Sequence, residues 1–174
     1  LHHQIAALAF KSGKHVLSQK PLAVSMEGAR QMCTQAEEAG VTFGVFENLR
    51  FAEGVRHQHW AFSESGPAGK LQMAVMGNIG TWWAPDLIVA ETPWRHAIEN
   101  GGGIALDLGP HFFDMIRHIG GSEVTSVTAQ TQVVEPIRYI LRDGDRVEPA
   151  SCDADDTFYA HFELESGASG TMFG

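Results

Sequence analysis

Four residues on one stretch carry the first chemical signal. Asp107 and His111 stand four apart, and Asp114 and His118 extend the series at intervals of three and four. On a helix those intervals set the side chains along one face. A carboxylate beside an imidazole suits acid/base work: the carboxylate holds the ring or a substrate hydroxyl, and imidazole exchanges protons near neutral pH. The same spacing also serves a solvated face of Asp/His ion pairs. Asp/His at such spacing can ligate a divalent ion as well, although no further Cys/His cluster accompanies it. Lys20, in the turn Ser18-Gln19-Lys20-Pro21 after an apolar run, is a second candidate, because ligand crevices of open α/β sheets lie at the carboxyl ends of strands. An ordinary exposed turn is the alternative. A third group, Trp82, Trp83 and Trp94 with Arg95, either lines a pocket for a polyhydroxylated ligand or packs a long loop over a sheet.

The elements that must position these residues follow from periodicity and punctuation. Residues 1–12 read as a helix closed by Gly13, and His15-Val16-Leu17 as a short buried strand. Ser25 is a credible N-cap for a helix with the apolar stripe Ala29, Met32, Cys33 and Ala36, ended by Gly40. Residues 41–46 are an apolar, β-branched run expected to be buried on both faces. Helix, strand, helix, strand with short links is an α/β pattern with parallel strands. The character changes near residues 47–50. A helix is expected over 52–65, with Val55, His59 and Phe62 on one side, before the Gly66-Pro67 breaker. A strand follows over 71–80, then a Trp- and Pro-rich loop over 81–100. The run Gly101-Gly102-Gly103 introduces a helix over 104–118. Strands are expected over 124–134, 158–164 and 168–173, with an acidic loop over 143–156. This second part is α+β with an antiparallel sheet. Two domains result, 1–48 and 49–174.

Composition removes several function classes. The chain has 174 residues, 44% hydrophobic and 19% charged, which is ordinary globular usage. A net charge of −9 repels phosphate backbones and anionic lipid, so neither nucleic acid nor membrane is an expected partner. The longest uncharged stretch, 71–85, is shorter than a bilayer span. Cys33 and Cys152 lack any pairing or zinc-site pattern, which fits a reducing compartment and a cytoplasmic location. The chain opens without an initiator methionine and is read as an internal piece of a longer protein. G-x-G-x-x-G, Walker and G-x-S-x-G motifs are missing.

Taken in order, four stretches carry a resemblance: Gly13-Lys14-His15-Val16-Leu17-Ser18-Gln19-Lys20-Pro21-Leu22-Ala23, Glu47-Asn48-Leu49-Arg50-Phe51, Trp94-Arg95, and Gly101-Gly102-Gly103-Ile104-Ala105-Leu106-Asp107-Leu108-Gly109-Pro110-His111 continuing through Asp114. Their order and spacing resemble the Gfo/Idh/MocA family, the oxidoreductases related to glucose–fructose oxidoreductase and inositol dehydrogenase. The resemblance implies the tail of a Rossmann-like parallel domain followed by an α+β domain with an open, mainly antiparallel sheet, cut short at Gly174. It implies NAD or NADP as cofactor and a sugar, inositol or related polyol as substrate. Lys20, Asp107 and His111 would then be catalytic and converge on one cleft. Gln19, Lys20, Pro21, Asn48 and Arg95 would contact the cofactor, and Asp107, His111 and Trp94 the substrate. A homo-oligomer is also implied. The sequence departs from the family in lacking the upstream phosphate-binding glycines and in carrying Gln19 where the family commonly has Glu. Two other readings compete: a non-catalytic binding or assembly fragment of the same fold, and a metal-dependent enzyme using the Asp/His helix.

Overall fold

A computed structural model describes residues 2–80 and 86–174. Thr81, Trp82, Trp83, Ala84 and Pro85 lie outside the described residues, and with them two of the loop tryptophans singled out above. The chain divides into two compact units, Leu1–Asn48 and Leu49–Gly174.

In the first unit, α1 (His2–Lys11), β1 (Val16–Gln19), α2 (Met26–Glu38) and β2 (Phe43–Phe46) follow one another. The two strands pair in parallel, with Val16 opposite Phe43 and Gln19 opposite Phe46. Ser25 caps α2 by accepting the Gly28 amide, and Gly40 ends it at a positive φ of 63°. Ala6 and Phe10 of α1 meet Met32 and Ala36 of α2 in a small core, with Val16, Val41 and Phe43 packed against it. Two burial expectations need correction. Cys33 is exposed, because the helical stripe narrows to Met32 and Ala36. Neither strand is buried on both faces: Leu17, Val45 and Phe46 are exposed and only Ser18 of β1 is buried. A strand's apolar run records what a sheet can bury, and here α1 and α2 share one core and leave those side chains uncovered.

The second unit contains α3 (Glu53–Ala61), β3 (Met73–Gly77), α4 (Ile104–Gly120), β4 (Val124–Gln132), β5 (Ile137–Arg142), β6 (Asp145–Ser151), β7 (Thr157–Leu164) and β8 (Ser169–Phe173). Four strands form a mixed sheet in the order β3-β8-β7-β4; β3 runs parallel to β8 and the other pairs are antiparallel. β7 alternates strictly, with Phe158, Ala160, Phe162 and Leu164 buried. These side chains meet Ile104, Phe112 and Ile116 of α4 and Met172 of β8, so α4 lies on that face of the sheet. α3 stops four residues earlier than its pattern suggests, its end closed by Phe62.

The acidic stretch over 143–156 is not a loop. β5 and β6 form an antiparallel hairpin there, turned by Asp143-Gly144 at φ of 53° and 90°. The hairpin also holds the chain that resumes at Asp86: Ile88 donates its amide to the Tyr139 carbonyl and Tyr139 donates to that of Asp86.

Candidate active site

The site is built at the start of α4. Gly103 precedes the helix at φ 112°, a conformation that suits glycine, and its carbonyl accepts the Asp107 amide. A Cβ on Gly103 would sit 2.3 Å from Asp155 Oδ1, and one on Gly102 would sit 2.5 Å from the Arg95 carbonyl oxygen. The glycine run therefore lets two other segments approach closely. Asp155 uses that proximity: its carboxylate accepts the Ala105 amide and its carbonyl accepts that of Ile104, so a residue far along the chain caps the helix. Asp107 stands in the first turn, where the helix dipole favours a negative charge. One turn on, His111 is buried.

The second wall is the segment before the glycines, which runs through short 3-10 turns at Val89–Glu91, Pro93–His96 and Ile98–Asn100. Arg95 Nε lies 3.5 Å from Asp107 Oδ2, with both side chains about three-quarters buried. The guanidinium also lies over the Trp94 ring, 4.5 Å from its centroid, while half of Trp94 stays exposed. Arg95 Nη1 donates to Thr92 Oγ1 at 2.6 Å, and that hydroxyl donates to the Val89 carbonyl. The Arg95 carbonyl accepts the Gly103 amide, which ties the segment to the helix start.

Beneath it is a polar network that sequence reasoning missed. His96 is 1% exposed, and its Nε2 accepts the Val89 amide at 3.1 Å. Its carbonyl accepts the amides of Asp153 and Ala154. Burial, together with the charge of nearby Arg138, pushes the His96 imidazole down to about 4, so the ring is neutral and its Nε2 can accept. Arg138 is 2% exposed; it donates to the Leu87 carbonyl and to Asp156 Oδ2. Burial alone would raise the Asp156 carboxyl. The amides of Val134 and Glu135 and the Arg138 guanidinium outweigh burial and hold it below its ordinary value. Asp153 accepts the Ile98 amide. The acidic run thus supplies carboxylate acceptors for backbone amides at three residues, Asp153, Asp155 and Asp156. Acidity was the visible signal, and only the tertiary partners reveal its use.

The Asp/His stripe of α4 divides in two. Asp107 remains with Arg95, while His111, one turn on, is buried. Asp114 instead receives a two-pronged ion pair from Arg50, and His118 stacks on His59 with ring centroids 4.1 Å apart. His59 Nδ1 donates to the His118 carbonyl at 2.6 Å. These pairs bolt α3 and the turn before it to α4. Among the described residues there is no group of three or more metal-ligating side chains, and both carboxylates of the stripe face arginines.

Gln19, Lys20, Pro21 and Asn48 belong to the first unit. Because Gln19 pairs with Phe46, Lys20 and the segment Glu47-Asn48 leave adjacent parallel strands at the same carboxyl end. The Lys20-Pro21 bond is cis, and the Lys20 amide donates to Gln19 Oε1 at 2.9 Å. Gln19 and Asn48 are exposed there and Lys20 is half-buried. One ammonium and two amides at the strand ends fit the polar, anionic character of a dinucleotide.

Comparison with known proteins agrees in both units. Residues 1–47 match the oxidoreductase family with an NAD-binding Rossmann fold, and residues 61–174 match the GFO/IDH/MocA C-terminal domain. The chain is 30% identical over 168 residues to D-xylose dehydrogenase of Paenarthrobacter nicotinovorans, covering 95% of this chain and 42% of that protein. It is 34% identical over 122 residues to 1,5-anhydro-D-fructose reductase of Ensifer adhaerens, covering 68% of this chain and 34% of that one. Among solved structures, the WlbA dehydrogenase of Bordetella pertussis, in complex with NADH and UDP-GlcNAcA, superposes with a TM-score of 0.79 at 26% identity, covering 99% of this chain and 48% of that one. The chain therefore spans less than half the length of these relatives.

Proposed function

The chain belongs to the GFO/IDH/MocA family of oxidoreductases, and from that membership we propose that the protein carrying it is an NAD(P)-dependent oxidoreductase acting on a sugar, inositol or related polyol. The observation that carries the proposal is the pairing, on one helix, of buried His111 with Asp107, whose carboxylate is met by Arg95. When bound, the nicotinamide cofactor supplies the acceptance or donation of one hydride. The protein's groups handle everything else. A nitrogen of the His111 imidazole takes the proton of the reacting hydroxyl as its carbon is oxidised, and returns it in the reverse direction. Asp107 accepts a hydrogen bond from a substrate hydroxyl and so orients the carbon. Lys20 supplies a positive charge at the strand ends of the first unit, suited to stabilising negative charge as it develops. The Trp94 ring packs on C–H faces of the sugar. Gln19, Lys20, Pro21 and Asn48 would hold the cofactor on the first unit, and Arg95 would be a cofactor contact from the second.

Two coarser properties go with this reading. We place the protein in the cytoplasm; support comes from Cys33 and Cys152, which are both free thiols, and among the described residues no helix is long and apolar enough to cross a membrane. We also propose a homo-oligomer, supported by the sheet face turned away from α4, where Met73 and Val75 are 73% and 69% exposed.

The test is direct. The protein carrying this chain, incubated with NAD or NADP and a panel of sugars and inositols, should generate NAD(P)H absorbance. A folded protein that turns over none of them with either cofactor would be a binding module rather than an enzyme.

A further inference from the structure

We propose that Thr92 is a positioning residue: its hydroxyl, anchored through Val89 to the buried His96 ring, aims the Arg95 guanidinium at Asp107. This rests on the reading of Arg95 and Asp107 as site residues.

Each link is a separate contact. His96 Nε2 accepts the Val89 amide, the Val89 carbonyl accepts both the amide and the hydroxyl of Thr92, and the hydroxyl oxygen accepts from Arg95 Nη1. Arg95 Nε then meets Asp107. Because the hydroxyl donates to one partner and accepts from the other, it has a single orientation. Valine would reproduce its shape and keep neither bond.

The backbone gives independent reason to see the segment as constrained. Ala90 and Glu91 are consecutive non-glycine residues at φ of 47° and 54°. Left-handed conformations of this kind are unfavourable for residues with a Cβ and persist where the surroundings over-determine them. The surroundings here are the Val89–Thr92 bonds, the His96 acceptor and the donation of Arg138 to the Leu87 carbonyl. The turn brings Thr92 Oγ1 to Arg95, three residues on, with the guanidinium already stacked on Trp94. An arginine has several rotatable bonds, and fixing it before ligand arrives lowers the ordering cost paid on binding.

The experiment compares Thr92→Val, Thr92→Ser and Arg95→Ala in the protein carrying this chain. Thr92→Val should raise the KM for the nicotinamide cofactor about 5–20-fold with kcat changed less than about twofold, the pattern of lost binding. Thr92→Ser, which keeps the hydroxyl, should stay within about twofold of wild type on both. In an Arg95→Ala background, Thr92→Val should add nothing, since the group it aims is gone; a merely structural role would add its full effect there. An activity-free readout accompanies the kinetics: the Arg95 Nε–H resonance should be resolved and slowly exchanging in wild type and Thr92→Ser, and averaged in Thr92→Val. If Arg95→Ala damages the enzyme but Thr92→Val is silent or additive, the positioning role is overturned. If Arg95→Ala is itself silent, the reading of Arg95 fails; the resonance then decides on Thr92 alone, and a Thr92→Val variant that keeps it ordered overturns the proposal.

Discussion

Two side chains one turn apart on α4 have different jobs in the proposed reaction, and kinetics separates them. A general base acts mainly in the transition state, where such groups contribute about 10²–10⁴-fold. His111→Ala should therefore lower kcat by roughly that factor with little change in KM. Asp107→Ala should lower kcat and raise the substrate KM together, because a carboxylate already hydrogen-bonded to a substrate hydroxyl contributes in the ground state. It also strips Arg95 of its partner at 3.5 Å, so the cofactor KM should rise as well. Steady-state kinetics on the two variants checks this. A His111→Ala enzyme with wild-type kcat would make His111 a buried packing residue of α4, a role its low exposure also allows.

At the scale of elements, the site depends on a turn, a helix start and a hairpin held by buried polar groups, and that dependence is written into pH. The His96 imidazole is lowered from 6.5 to about 4 in the folded protein, chiefly by burial. Its folded pKa lies below its unfolded one. The unfolded state thus takes up the proton first as pH falls, and stability present above 6.5 declines down to about 4. The full shift corresponds to roughly 3 kcal/mol. His118, lowered by burial and by stacked His59, acts with the same sign. Denaturant unfolding across this range should show the loss, and His96→Gln, whose side-chain oxygen can still accept the Val89 amide, should flatten much of it. A His96→Gln curve as steep as wild type would place the titration elsewhere. Legibility in the sequence varied by element for related reasons. α2 was readable from its Ser25 cap to Gly40 because the signals are local, and α4 because its apolar stripe is long. The β5–β6 hairpin passed as an acidic loop even though Asp143-Gly144 is a hairpin signal, because Asp and Glu nearby masked the flanking strands. Buried His96, Arg138 and Asp156 were not readable. A polar residue is buried only where partners distant in sequence satisfy it, and spacing carries no record of those partners.

For the whole molecule, the outer face of the β3-β8-β7-β4 sheet is the part the proposed reaction leaves unused. Register places Met73, Ser169, Glu163 and Ser126 in one row across it, and Val75, Thr171, His161 and Thr128 in the next. The opposite face is filled by Ala160, Phe162, Leu164 and Met172 against α4, and among the described residues no helix covers Met73 and Val75 on this outer face. Each row begins with an exposed apolar side chain on β3 and continues in neutral or singly charged polar groups, while Tyr159 adds an exposed ring on β7. Such a surface is apolar enough to gain from burial, at about 25 cal/mol per Å² of apolar area. It also carries hydroxyl and imidazole groups able to pair across a two-fold axis. A second copy is the occupant we expect. Val75→Glu would set a charge opposite Thr171, on the edge strand of that face, and burying it unpaired would be costly. Light scattering coupled to size exclusion should show an oligomer for the protein carrying this chain and a monomer for Val75→Glu at the same concentration. The variant's helical signal and thermal midpoint should remain near wild type, because Val75 faces away from the core. If Val75→Glu keeps the wild-type mass, copies do not meet across this sheet.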